Sequence, residues 1–180
     1  MLAWTMMTLA LAGDAKPAPV TVTVTDEAGA VVPAARVRFL EEDELHLVNS
    51  GTGMFTTSVL YLRDGSEKVL EKGSTHAFEV VAPGYQRFSG EVVFDGRKEA
   101  VAVTLSPMEA PTASTPAGER AMEAYAELLA AKPHEEGFLL ASRRVVDAAR
   151  TWLDQGGGVP AHELCLLGGS RKQCGPAPKG

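Results

Sequence analysis

From Val20 to Thr25 apolar and polar residues alternate without a break, Val-Thr-Val-Thr-Val-Thr, which is the period of a strand with one buried face. Asp26-Glu27-Ala28-Gly29 then supplies a turn, and a second strand is predicted over Ala35 to Leu40, with Val37 and Phe39 sharing one face. Further strands are predicted at Leu45 to Val48, Gly53 to Leu62, Lys68 to Leu70, His76 to Val81, Arg87 to Phe94 and Ala100 to Leu105. Gly, Asn, Asp or Pro punctuates each gap between them. Short strands at this spacing, with no helical period among them, predict an antiparallel sandwich. The pattern changes past the Pro-, Ser- and Thr-rich stretch 106–118, which reads as a linker. Met122, Tyr125, Leu128 and Leu129 recur at helical spacing until Pro133, and a longer helix is predicted over His134 to Gln155. Its apolar stripe runs through Phe138, Ala141, Val145, Ala148 and Trp152. Three glycines, Gly156 to Gly158, end it, and a short helical turn is expected over Pro160 to Leu166. The fold class is therefore mainly β: an antiparallel β-sandwich followed by a small α-helical hairpin. The expected divisions are a signal peptide 1–12, a spacer 13–19, the sandwich 20–106, a linker 107–118, a helical segment 119–167 and a flexible tail 168–180.

The order of several short motifs carries a family resemblance. VTVTVTDEAGAVVPAARVRFL is followed by Gly53-Met54-Phe55, then by EKGSTHAFEVVAPGYQRF, then by AVAVTLSP. Over about residues 19–107 this resembles the carboxypeptidase regulatory-like domain, a transthyretin-like sandwich. The family's Asp-x-x-Gly turn is matched by Asp26 and Gly29, and its small residue before the next strand by Ala34 and Ala35. Its Gly-x-Phe is matched by Gly53 and Phe55, and its Ala-Pro-Gly-Tyr by Ala82 to Tyr85. Gly29 and Gly84 fall where a tight turn asks for positive φ, and Tyr85 is expected to bury its ring with its hydroxyl on a backbone group. Residues 57–72 depart from the family as an extra hairpin-like insertion, and insertions on a rigid sandwich are frequent binding surfaces. The helical segment resembles no family in this way.

Composition and charge narrow the function. The apolar run Leu2 to Ala12, ending Ala10-Leu11-Ala12 before Gly13, reads as a secretory signal, although no Lys or Arg precedes it. It falls short of the roughly 20 residues a membrane-spanning helix needs. The expected address is the periplasm or the extracellular space. In such a compartment Cys165 and Cys174, the only two cysteines, are expected to form a disulfide, contributing about 2.5–3 kcal/mol by loop closure. The other reading makes them metal ligands with His162, beside Glu163, but lacks the paired spacing of zinc sites. Residues 1–118 carry 15 acids and 9 bases and residues 119–180 carry 8 of each, so the net charge of −6 lies in the front part. Such a surface repels phosphate backbones, and nucleic acid is not an expected partner.

Candidate chemistry is sparse. G-x-S-x-G, H-E-x-x-H, a P-loop and a dinucleotide fingerprint are missing, and His46, His76, His134 and His162 fall in separate elements. The run Glu41 to Glu44 lacks the ligand pattern of a calcium loop and reads as a solvated charged loop. Arg143, Arg144 and Arg150, among Glu135, Glu136, Asp147 and Asp154, read as a mixed solvent face. No catalytic, cofactor or metal residues are expected. The leading expectation is an exported, non-catalytic binding or structural accessory of the cell envelope with a protein partner. Two helices alone bury too little surface to stand free, so the helical segment is expected to dock on the sandwich, a second copy or a partner through Phe138, Val145 and Trp152. Two other readings stay open: a carbohydrate-binding module, with Tyr61 and Tyr85 as the only candidate stacking aromatics outside the signal and the helix, and a small enzyme whose site forms only in the fold.

Overall fold

The computed structural model describes residues 19–108 and 113–178; the expected signal peptide and nearly all of the spacer lie outside them. Nine strands precede four helices: β1 (Val20–Asp26), β2 (Arg36–Phe39), β3 (His46–Leu47), β4 (Met54–Thr57), β5 (Val59–Tyr61), β6 (Glu67–Val69), β7 (Thr75–Val81), β8 (Phe88–Val93), β9 (Glu99–Leu105), α1 (Pro116–Ala130), α2 (Glu136–Asp154), α3 (Gly158–Gly168) and α4 (Arg171–Cys174). One sheet has the order β4-β1-β9, the facing sheet β3-β2-β7-β8, and β5-β6 forms a separate ribbon. The alternation in β1 does what its period requires: Val20, Val22 and Val24 are buried and the threonines between them are not. They meet Val37, Phe39, Phe78, Val80, Val103 and Leu105 in the sandwich core. The fold is thus the expected antiparallel-rich β-sandwich followed by a C-terminal helical part. One pairing departs from a wholly antiparallel sandwich, since β1 and β9 run parallel from Val20 opposite Glu99 to Asp26 opposite Leu105.

Gly53 shows why a signature glycine stands where it does. Its φ is +68°, and a Cβ there would lie 2.6 Å from the Val24 carbonyl oxygen, so both conformation and space exclude a side chain. Gly29 and Gly84 have the expected positive φ. The expected strand 53–62 is broken at Ser58, which sends Val59–Tyr61 away to pair with Glu67–Val69 rather than to continue the β1 sheet.

The helices form a third layer. Thr115 caps α1 by accepting from the Gly118 N–H, with Pro116 in the first turn where its missing N–H is harmless. Their cluster of Tyr125, Leu128, Phe138, Val145, Trp152, Leu164 and Leu166 packs on the outer face of the second sheet through Ala34, Leu45, Leu47 and Val81. Of the covers expected for Phe138, Val145 and Trp152, the structure shows the chain's own: all three are buried in this cluster and are not free to contact another protein. Two expectations for the C-terminal part also change. In place of a short turn, α3 runs over Gly158–Gly168, and the expected flexible tail carries a helical turn, α4, closed by a Ser170–Gln173 capping box. The disulfide Cys165–Cys174 ties that turn to α3, with Cα atoms 5.8 Å apart.

The sheet face under the helices is polar. Arg36 and Arg38 alternate with Val37 and Phe39 on β2, and the register sets Arg38 directly opposite Glu79 on β7. Both members of that pair are buried and bonded. Arg36 donates to the Leu167 carbonyl at the end of α3 and lies over the Phe138 ring, 5.3 Å from its centroid. Burial pulls the Arg36 guanidinium down to about 10. The Tyr125 hydroxyl accepts from the Gly84 N–H at 2.6 Å, so α1 supplies the turn contact expected of Tyr85, whose ring is half-buried against the sandwich core.

Candidate functional site: a cationic cleft

Where the sandwich rim meets α3 and α4, an open cleft of about 690 Å³ is lined by Arg63, Arg87, His162, Arg171 and Lys172, with Asp43 the one acid among its lining residues. Its volume falls within the range of small-ligand sites. Leu166 and the segment 175–177 give it an apolar side. Arg63 comes from the β5–β6 turn, Arg87 from the β7–β8 connection just before β8, and Arg171 and Lys172 from α4. Three segments far apart in sequence thus converge in an otherwise acidic protein.

Carboxylates already engage each arginine on one side: Arg63 with Asp43 at 3.0 Å, Arg87 with Glu163 at 3.1 Å, and Arg171 with Glu79 at 2.9 Å. Glu79 is the hub, for its other oxygen takes Arg38, and Arg87 also stands 4.0 Å away. Burial alone would raise the Glu79 carboxyl; the charges and hydrogen bonds of Arg38 and Arg171 outweigh that and hold it below the usual carboxylate range. Lys172 has no ion pair among the described residues, and the Arg38 Nε and Nη1 atoms are buried without a partner. The cleft therefore keeps a positive excess over the acids that brace it.

His162 turns its Nε2 to the Gly175 carbonyl oxygen at 3.1 Å and Cys165 bonds Cys174, so the sulfurs of the alternative metal set are used on each other. No cluster of three metal-ligating side chains occurs among the described residues. The acidic run is likewise not a solvated loop. Glu41 binds Lys68 at 3.0 Å and His76 at 3.2 Å, Glu42 receives the Tyr61 N–H at 2.9 Å and lies 3.4 Å from His46, and Asp43 holds Arg63. These contacts pin the β5–β6 ribbon, the insertion singled out in the sequence, to the sandwich rim.

Ser74, His76 and Glu41 also line up, with Ser74 Oγ 2.7 Å from His76 Nε2 and His76 Nδ1 3.2 Å from Glu41. The connectivity is that of a nucleophilic triad. Its protons are otherwise placed: Ser74 Oγ donates to the Glu71 carbonyl at 2.6 Å, and the Gly73 and Ser74 N–H groups donate to Phe94 and Glu71 carbonyls. The Gly73 and Ser74 amides are thus unavailable to stabilise an oxyanion. Tyr61 is exposed on β5, whereas Tyr85 sits in the β7–β8 turn, so the two aromatics belong to different elements.

His46 stacks on Phe55, with ring centroids 5.0 Å apart, and the Glu42 carboxylate, 3.4 Å from its Nε2, is the main cause of a raised imidazole pKa. A raised folded pKa contributes stability that is complete below the unfolded value of about 6.5 and is lost as pH rises through the folded value. The melting temperature of the wild type should therefore fall relative to that of His46→Gln between pH 6 and pH 8. Parallel melting curves across that window would remove this role for the Glu42–His46 pair.

No protein-family model matches the chain, and no curated protein matches it. Among solved structures, one described as "Conserved hydrophobic clusters on the surface of the Caf1A usher C-terminal domain are important for F1 antigen assembly" aligns at 10% identity and a TM-score of 0.28, covering 51% of this chain and 99% of that one.

Proposed function

We propose that this protein is an exported, non-catalytic accessory of the cell envelope that works by associating with another protein, and that the cationic cleft is where the partner binds. The observation that carries the reading is the convergence of Arg63, Arg87, Arg171 and Lys172 on one open cleft in a chain of net charge −6. Charge segregated in this way orients and steers an encounter. A rigid sandwich of carboxypeptidase regulatory-like kind serves as the scaffold, with the helical layer completing the cleft rather than acting as a free arm. Export is supported by the Leu2–Ala12 run and agrees with the disulfide.

The test is cross-linking in the native host followed by mass spectrometry, comparing the wild type with Arg63→Glu/Lys172→Glu and with Arg143→Glu, an exposed site on α2. The wild type and Arg143→Glu should recover the same partner, the cleft variant about tenfold less of it. N-terminal sequencing of the same samples should begin near Gly13. Equal recovery by all three proteins would remove the cleft from the contact surface, and mature protein retaining Met1 would remove export.

A further inference from the structure

Resting on the assignment of the cleft as the contact site, we infer the class of its ligand: a carboxylate-rich peptide segment of the partner, held by the guanidinium groups of Arg63, Arg87 and Arg171 and the ammonium of Lys172. The cleft displays its own preference, because each arginine already holds a carboxylate of this chain at 2.9–3.1 Å. A guanidinium carries five N–H donors, and the ion pairs with Asp43, Glu163 and Glu79 leave others on each arginine for a second carboxylate. Lys172 has no ion pair among the described residues.

Shape separates a peptide from a small oxyanion. A compact phosphate site gathers backbone N–H groups around one point, at a glycine-rich loop or at the start of a long helix. Here the charges come from three separated segments, α4 is a single turn with Ser170 already capping it, and the cleft is open and apolar along Leu166 and residues 175–177. That arrangement offers several separate charges and a greasy wall to a chain bearing alternating side chains. In a chain of net charge −6 the surface outside the cleft is on balance negative, which favours this cleft over the rest for an anionic partner.

The probe is a peptide of glutamates carrying a neutral fluorophore, with the matching glutamine peptide as control, titrated by anisotropy against the full oxidised chain. The glutamate peptide should bind and weaken with salt, and the glutamine peptide should not bind. Arg63→Glu/Lys172→Glu should weaken binding by about tenfold and Arg143→Glu by less than about twofold. Inorganic phosphate should displace the peptide no better than chloride at equal ionic strength. Absence of glutamate binding, equal losses in the two variants, or displacement specific to phosphate each overturns the inference. If the peptide fails while the native partner is still lost by the cleft variant, only the ligand class is wrong; if both fail, the cleft is not the contact site.

Discussion

Glu79→Ala should lower the stability of this protein by about 3–5 kcal/mol at neutral pH, the typical consequence of removing one member of a buried ion pair. Arg38 is 1% exposed, and its Nε and Nη1 are already without partners, so losing Glu79 strands the whole guanidinium in the interior. The same change frees Arg171 of α4 and removes the second carboxylate beside Arg87, 4.0 Å away, loosening two walls of the cleft. Chemical denaturation of both proteins at pH 7 measures the loss. Replacing the pair together, as Arg38→Met/Glu79→Leu, should recover most of it, because neither member is then left as an uncompensated buried charge. The pH dependence has a definite sign. The folded carboxyl is held below its unfolded value of about 4.3, so its contribution is present above that value and disappears as pH falls through the folded one. The gap between the wild type and Glu79→Ala should therefore close in acid. A single variant within about 1 kcal/mol of the wild type at pH 7 would show that Glu79 does not carry this interface.

The parts of this structure legible in the sequence are those that depend on neighbouring residues. Alternation marked β1 and β2, the glycines at 29 and 84 marked positive-φ turns, and the stripes on α1 and α2 marked most of their buried faces, Leu129 being the exposed exception. The break at Ser58 was hidden because Phe55 to Leu62 is apolar enough to read as one strand, and only pairing partners decide which sheet a strand joins. The parallel pairing of β1 with β9 is likewise a long-range choice. For the cleft, Arg63, Arg87 and Arg171 each resemble ordinary surface charge in their own segments. One local signal pointed toward it: Arg36 and Arg38 alternate with Val37 and Phe39, a face that a solitary sandwich would give to water and that this protein covers with helices. The stripe of Phe138, Val145 and Trp152 was correctly read as needing cover, but periodicity cannot say whether the cover lies in the same chain.

Trp152 is the residue on which the helical layer closes, and its removal should cost about 3–5 kcal/mol. It is 5% exposed, and its ring occupies the space left by two glycines: a Cβ on Gly118 would lie 2.9 Å from Trp152 Cε2, and one on Gly157 would lie 2.6 Å from Trp152 Cδ1. The ring thus joins the first turn of α1 to the α2–α3 connection. Gly157 has φ −65°, which any residue adopts, so the absent side chain there answers to the indole and not to the backbone. This separates packing from conformational strain. Gly157→Ala in the wild type should cost about 1–3 kcal/mol by overpacking, whereas in a Trp152→Ala background it should cost almost nothing. Denaturation of the four proteins in this double-mutant cycle reads the coupling directly. Loss of the indole should also weaken the cleft from behind, because α2 packs on α3, and α3 carries His162 and Leu166 and is tied by the disulfide to the turn bearing Arg171 and Lys172. If Gly157→Ala is equally costly with and without Trp152, the indole is not what that glycine makes room for, and the closure of the helical layer has to be sought in other contacts.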